Sequence, residues 1–113
     1  MIVISDTSPI TNLAAVGKLD LLRALFDIVL IPPAVVEELE GYVSLPPWVE
    51  IRAVGDRSIV LSLMQDLDPG EAEALALAVE IKADRVLIDE RHGREVAERL
   101  GLRFIGVLGV LQH

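Results

Sequence analysis

The chain contains no cysteine. That absence excludes a disulfide framework, a thiolate zinc site and a thiol nucleophile. Basic residues are scarce: ten Lys and Arg stand against 18 Asp and Glu, a formal net charge of −8. A broad cationic surface for nucleic acid is excluded on that balance, although carboxylates gathered round a metal ion would produce the same acidity. Long apolar runs are missing too. None approaches the roughly 20 residues that span a bilayer, and the first apolar stretch lacks a basic start and is cut by Asp6. The expectation is a cytoplasmic protein with no membrane partner. No GxGxxG or GxxxxGK[ST] loop is present, and Ser8 has no histidine in a recognisable nucleophilic arrangement.

What remains is rich in core material. The 113 residues are 52% hydrophobic, with a mean hydropathy of +0.51, which suits one domain with a single core. Four short apolar runs read as strands: Ile2–Ser5, Ile28–Ile31, Arg85–Ile88 and Arg103–Ile105. The first three show no polar alternation, as expected of strands covered on both faces of a parallel sheet. Val49–Val54 is a weaker fifth candidate. Helical patterns fall between them. Ser8-Pro9 starts one that Gly17 stops, "KLDLLRALF" makes a second, and "PPAVVEELEGY" a third ending near Gly41. Ser58–Leu67 follows, then "DPGEAEALALAVEIK" with Asp68 as cap and Glu71 three residues on, then "RHGREVAERLG". Strands alternating with helices predict an α/β three-layer sandwich around a central parallel sheet of four to five strands.

In such a sheet the functional crevice lies outside the carboxyl ends of the strands. Asp6 follows the first strand directly, and Asp89 with Glu90 follows "RVLI". At about 100° per residue, Glu73 and Glu80 share the solvent stripe of their helix while Glu71 points the opposite way. Glu38 falls between the exposed and apolar sides of its own helix. Asp6, Glu38, Glu71 and Asp89 are therefore expected to converge. Such a cluster repels itself unless a hard divalent cation relieves it, and carboxylate with water suits Mg²⁺ or Mn²⁺. The chemistry implied is metal-assisted phosphodiester hydrolysis. Thr7, Ser8 and Asn12 are placed to orient a ligand, and Arg91 and Arg94 to meet a substrate phosphate. Each acid has a plainer alternative: Asp6 and Asp89 as helix caps, Glu71 in a capping box with Asp68, Glu38 as a boundary residue.

"VISDTSPITNLA", "VLIPPAVVEEL", "LDPGEAEALALA" and "VLIDERHGREVAERLGLRFIGVLGVL" together resemble, in order, the motifs of the PIN-domain superfamily, in its small prokaryotic VapC-like branch. The resemblance spans nearly all of residues 1–113 as a single PIN-like domain. It implies a Mg²⁺- or Mn²⁺-dependent endoribonuclease acting on single-stranded or structured RNA, commonly the toxin paired with an antitoxin protein, and a homodimer. By motif it implies metal-binding, catalytic roles for Asp6, Glu38, Glu71 and Asp89, with Glu73 the rival of Glu71 and Glu90 the neighbour of Asp89. Members of that branch continue past "GVLGVL" with helical sequence, so a missing C-terminal helical extension is expected here. "DPGEAEA" also carries Glu where Asp is more usual. A non-catalytic interaction module on the same fold is the competing expectation.

Overall fold

The computed structural model describes residues 1–113. Five strands form one wholly parallel sheet: β1 Ile2–Ser5, β2 Ile28–Ile31, β3 Val49–Ile51, β4 Arg85–Leu87 and β5 Phe104–Ile105. Their spatial order is β3-β2-β1-β4-β5. The chain thus lays its first strand in the centre, builds outward on one side, then crosses back to build on the other. β1 and β4 flank the point where that direction reverses, which is where a doubly wound sheet opens a crevice.

Seven helices cover the two faces: α1 Thr7–Ala15, α2 Asp20–Leu25, α3 Pro33–Leu39, α4 Arg57–Leu63, α5 Pro69–Ile81, α6 Arg91–Arg99 and α7 Val107–Leu111. Alternation along the strands divides the core. Ile4, Leu30, Val86 and Ile88 meet α4, α5 and α6 through Val60, Leu75 and Val96. Val3, Val29, Ile31 and Leu87 meet α1, α2, α3 and α7 through Ile10, Leu22, Val35 and Val110. This is the three-layer sandwich expected from the sequence, with both strand faces apolar because both are covered.

α5 is the interior helix. Asp68 caps it, its carboxylate accepting from the Glu71 amide at 2.9 Å, and Pro69 supplies a first residue with no amide to satisfy. Every residue from Gly70 to Ala78 is buried, and the alternating alanines let neighbouring elements approach closely. α1, α3 and α6 are followed by glycine in the left-handed region, at Gly17, Gly41 and Gly101, but α5 closes on Lys82 with φ 54°. For a residue with a Cβ that conformation costs about 1–2 kcal/mol.

The structure adjusts several boundaries. The pattern at Ser58–Leu67 forms a helix only to Leu63 and then turns. The Val49–Val54 segment is a three-residue edge strand, and Trp48 beside it packs half-buried against the α1–α3 side of the core. α7 was not foreshadowed: "GVLGV" reads as glycine-interrupted apolar sequence, yet it folds as one short helix whose Val110 is fully buried.

Candidate functional site

Asp6 stands at the seam of the sheet. Its amide still donates to the Leu87 carbonyl at 3.0 Å, continuing the β1–β4 ladder, and its side chain is 4% exposed. It precedes α1 yet makes no capping hydrogen bond to that helix. The carboxylate is thus free to face the crevice, and it is not alone there. Carboxylate oxygens of Asp6, Glu38 and Asp68 lie within 4.8 Å of one another. Opposite ligands on an octahedral hard cation stand about 4.2 Å apart, so one ion is within reach of all three.

Three elements deliver these groups. Asp6 comes from the end of the central strand, Glu38 from the last turn of α3, and Asp68 from the cap of α5. The Thr7 hydroxyl donates to Glu38 Oε2 and fixes that carboxylate. Gly70 makes the approach possible: a Cβ there would stand 2.6 Å from both Glu38 carboxylate oxygens. The crevice, of about 290 Å³, is lined by polar side chains alone, with Ser8, Thr11, Asn12 and Glu90 completing its wall.

Glu71 lies buried beside the cluster. Its Oε2 has no hydrogen-bond partner, and Gly93 packs over it so closely that a Cβ would come within 2.7 Å. The Ser8 hydroxyl is likewise buried without a partner. Orphaned polar atoms of this kind cost about 1–3 kcal/mol each, and both belong to this one corner. Burial, with Asp68, Glu38 and Glu90 adding repulsion, pushes the Asp6 carboxyl up to about 7 against the smaller opposing effect of the Thr7 amide. Burial and the nearby Asp6, Asp68 and Glu90 charges push Glu71 up as well. A divalent cation answers this electrostatic problem directly, and the donor set of hard carboxylate oxygens fits one.

The expected residues separate into two groups. Asp6 and Glu38 share the cluster, and Glu71 lies beside it. Asp89 does not join them: its Oδ1 accepts from the Val107 amide at 2.9 Å at the start of α7 and lies 3.6 Å from Arg94 Nη2. Glu90, its neighbour, lines the crevice instead. Glu73 is not on a solvent stripe as helical rotation suggested; it is 8% exposed. Its carboxylate accepts from the Ala34 amide at 3.0 Å and from Arg57 Nη1 at 3.1 Å, because α5 has no solvated side over that stretch. Among the phosphate-contact candidates, Arg91 pairs with Glu95 at 3.3 Å. Arg94 donates to the Ile88 carbonyl at 3.0 Å and lies over the Phe104 ring, so neither guanidinium faces the crevice. Thr7, Ser8 and Asn12 do line it.

Sequence reasoning missed Asp68, because a helix cap already explained it. The signal was available in the same residues: a cap is placed by the helix it starts, and this helix starts at the crevice.

Residues 2–113 match the family described as "DUF3368: PIN domain". Among solved structures, the chain is similar to a PilT N-terminus domain protein, SSO1118, from the hyperthermophilic archaeon Sulfolobus solfataricus P2, with a TM-score of 0.72 and 17% identity over 99% of this chain and 92% of that one. At that identity the likeness concerns the fold. No curated protein matches the sequence. No helix is long and apolar enough to cross a membrane. With four motifs in order, a parallel sheet whose seam ends on an acidic cluster, and a match over residues 2–113, the chain belongs to the PIN-domain family and carries its nuclease-type fold.

Proposed function

We infer that this protein is a metal-dependent ribonuclease. The observation that carries the reading is the meeting of Asp6, Glu38 and Asp68 oxygens within 4.8 Å at the sheet's reversal point. These three carboxylates would hold a Mg²⁺ or Mn²⁺ ion. When bound, such an ion supplies Lewis-acid activation of a phosphodiester and of the water that attacks it. The chain's own groups set the conditions. Asp6, fixed by the β1–β4 ladder, gives the centre a rigid origin. Thr7 holds the exposed Glu38 carboxylate in one orientation, as outer partners of a ligand do. Glu71 is buried at the edge of the cluster and retains a proton more readily than an ordinary glutamate. That limits the negative charge a phosphate must face. Glu90 at the rim tightens the demand for a cation before any polyanion can approach.

The deciding experiment is cleavage of end-labelled single-stranded RNA with Mn²⁺, using wild type, Asp6→Asn and wild type with EDTA. Cleavage restricted to the wild type with metal supports the assignment. Equal products in all three lanes point to a contaminant. No cleavage, together with no Mn²⁺ binding by calorimetry, leaves a non-catalytic interaction module as the reading. The proposal extends to a toxin restrained by an antitoxin protein. On that extension, expression arrests growth and Asp6→Asn relieves the arrest.

A further inference from the structure

A second cleft, of about 400 Å³, opens at the opposite edge of the sheet, between the end of α5, the start of β4 and the turn from α6 into β5. Its apolar wall is formed by Val79, Leu100 and Leu102, and its rim carries Lys82, Arg85 and Arg103. In a chain with only ten Lys and Arg, this concentration runs against the overall charge. None of the three cations forms an ion pair, whereas Arg57, Arg91 and Arg94 elsewhere do; Arg85 spends one donor, Nη1, on the Asp84 carbonyl at 2.8 Å. The one acid in the lining, Asp84, is already engaged, its Oδ2 accepting from the Ile2 amide at 2.6 Å.

A plainer account covers part of this. Cations near helix C-termini complement the helix dipole, which suits Lys82 after α5 and Arg99 at the end of α6. It leaves Arg85 and Arg103, which stand at the beginnings of strands. It also leaves the backbone of Lys82. Where Gly17, Gly41 and Gly101 take the left-handed conformation without strain, this position keeps a long cationic side chain in it. Strained backbone of this kind clusters at ligand clamps and active sites.

We propose that this cleft binds a nucleoside 5′-phosphate unit, with the phosphate held by Lys82, Arg85 and Arg103 and the base lying on the apolar wall. A guanidinium matches a phosphate with paired donors and also stacks on a base plane, and the volume falls within the roughly 300–1,000 Å³ of small-ligand sites. The unit has two sources, a free nucleotide or a nucleotide of an RNA chain. The site is distinct from the acidic crevice and is independent of cleavage.

The test is calorimetric titration of the whole protein with adenosine 5′-monophosphate in EDTA at low salt. Saturable one-to-one binding is expected. Arg103→Gln should weaken it about tenfold through loss of a charge-assisted contact. Lys82→Gly should weaken it similarly while holding or raising Tm, because glycine accepts the left-handed backbone. Asp6→Asn should bind as the wild type does. A 5′-phosphorylated RNA pentamer that displaces the nucleotide identifies an RNA chain as the source, and failure to displace it identifies the free nucleotide. The proposal is overturned if binding does not saturate, if Lys82→Gly and Arg103→Gln bind as tightly as wild type, if Asp6→Asn is the variant that loses binding, or if inorganic phosphate alone binds as well as the nucleotide.

Discussion

Glu71 and Glu73 stand two residues apart at the start of α5, both buried, in opposite circumstances. Glu73 is fully employed: the Ala34 amide and the Arg57 guanidinium take up its two oxygens and tie α3 and α4 to α5. Glu71 has an oxygen with no partner and other carboxylates for company. The same contrast divides the molecule. At the seam of α5, Glu80 likewise accepts from the Gly55 and Asp56 amides, and Asp89 accepts from Val107. At the crevice, Asp6, Asp68 and Glu71 crowd together and repel one another. Carboxylates that stabilise a fold are those whose lone pairs the fold consumes; carboxylates held for chemistry are those it leaves available, at a cost in stability.

Substitutions can break that comparison. The largest effect falls on Asp6→Asn, which should lower metal-dependent RNA cleavage by more than about a hundredfold, since even outer partners of metal ligands are worth 10–100-fold. Rates of labelled-RNA cleavage at saturating Mn²⁺ check it. Glu73→Ala should instead destabilise the protein by about 2 kcal/mol, by stranding the buried Ala34 amide and freeing Arg57, as read by urea denaturation. If Glu73→Ala left stability untouched and Asp6→Asn unfolded the chain, the division of roles would be reversed. Gly70→Ala sharpens the contrast within the crevice. The nearest atoms its Cβ meets belong to the exposed Glu38 carboxylate, which can be pushed aside from Thr7, so Tm should hold while Mn²⁺ affinity falls about tenfold as that ligand is displaced.

The smallest expected effect is a pH dependence. The folded protein keeps a proton on Asp6 up to about pH 7, whereas the unfolded chain releases it near the ordinary 3.8. Between those values the native state binds more protons, so stability falls as pH rises through the window. Metal-free protein should therefore gain a few degrees in Tm on going from pH 8 to pH 5. Saturating Mg²⁺ should abolish the gradient. Glu71→Gln should raise the Tm of the metal-free protein at pH 8, because it removes one of the opposed charges.

The fold was largely legible in the sequence because buried parallel strands leave an unmistakable trace: Ile2–Ser5 and Ile28–Ile31 have the same bounds in both readings. Caps and prolines placed α3 and α5 equally well. The site was legible only where an acid follows a strand or interrupts an apolar surface, as with Asp6, Glu38 and Glu71. The solvent stripe expected at Glu73 failed for a general reason. Rotation about a helix axis separates faces but does not say that one is wet, and α5 is covered all round until Val79. The run of alanines and leucines between Glu73 and Glu80 already argued for such cover. Asp89 lies outside the cluster while Glu90 lines the crevice for a different reason, because both follow the end of β4 at Leu87, where strand alternation no longer says which way a side chain points. The α7 amide that occupies Asp89 lies 18 residues away, beyond local pattern.

The central place of β1 has a consequence for the order in which the molecule comes into being. Synthesis from the N-terminus makes Asp6 well before β4, yet β1 pairs with β4 across more than 80 positions, as the Ile2–Asp84 bond shows. Asp68 and the start of α5 are also made well after Asp6 and Glu38. Non-local pairing of this kind closes late and slowly. A nascent chain therefore carries the first and second acids long before the cluster of Asp6, Glu38 and Asp68 can assemble. The ribosome that makes this chain therefore works beside an unassembled acidic centre until α5 and β4 have emerged.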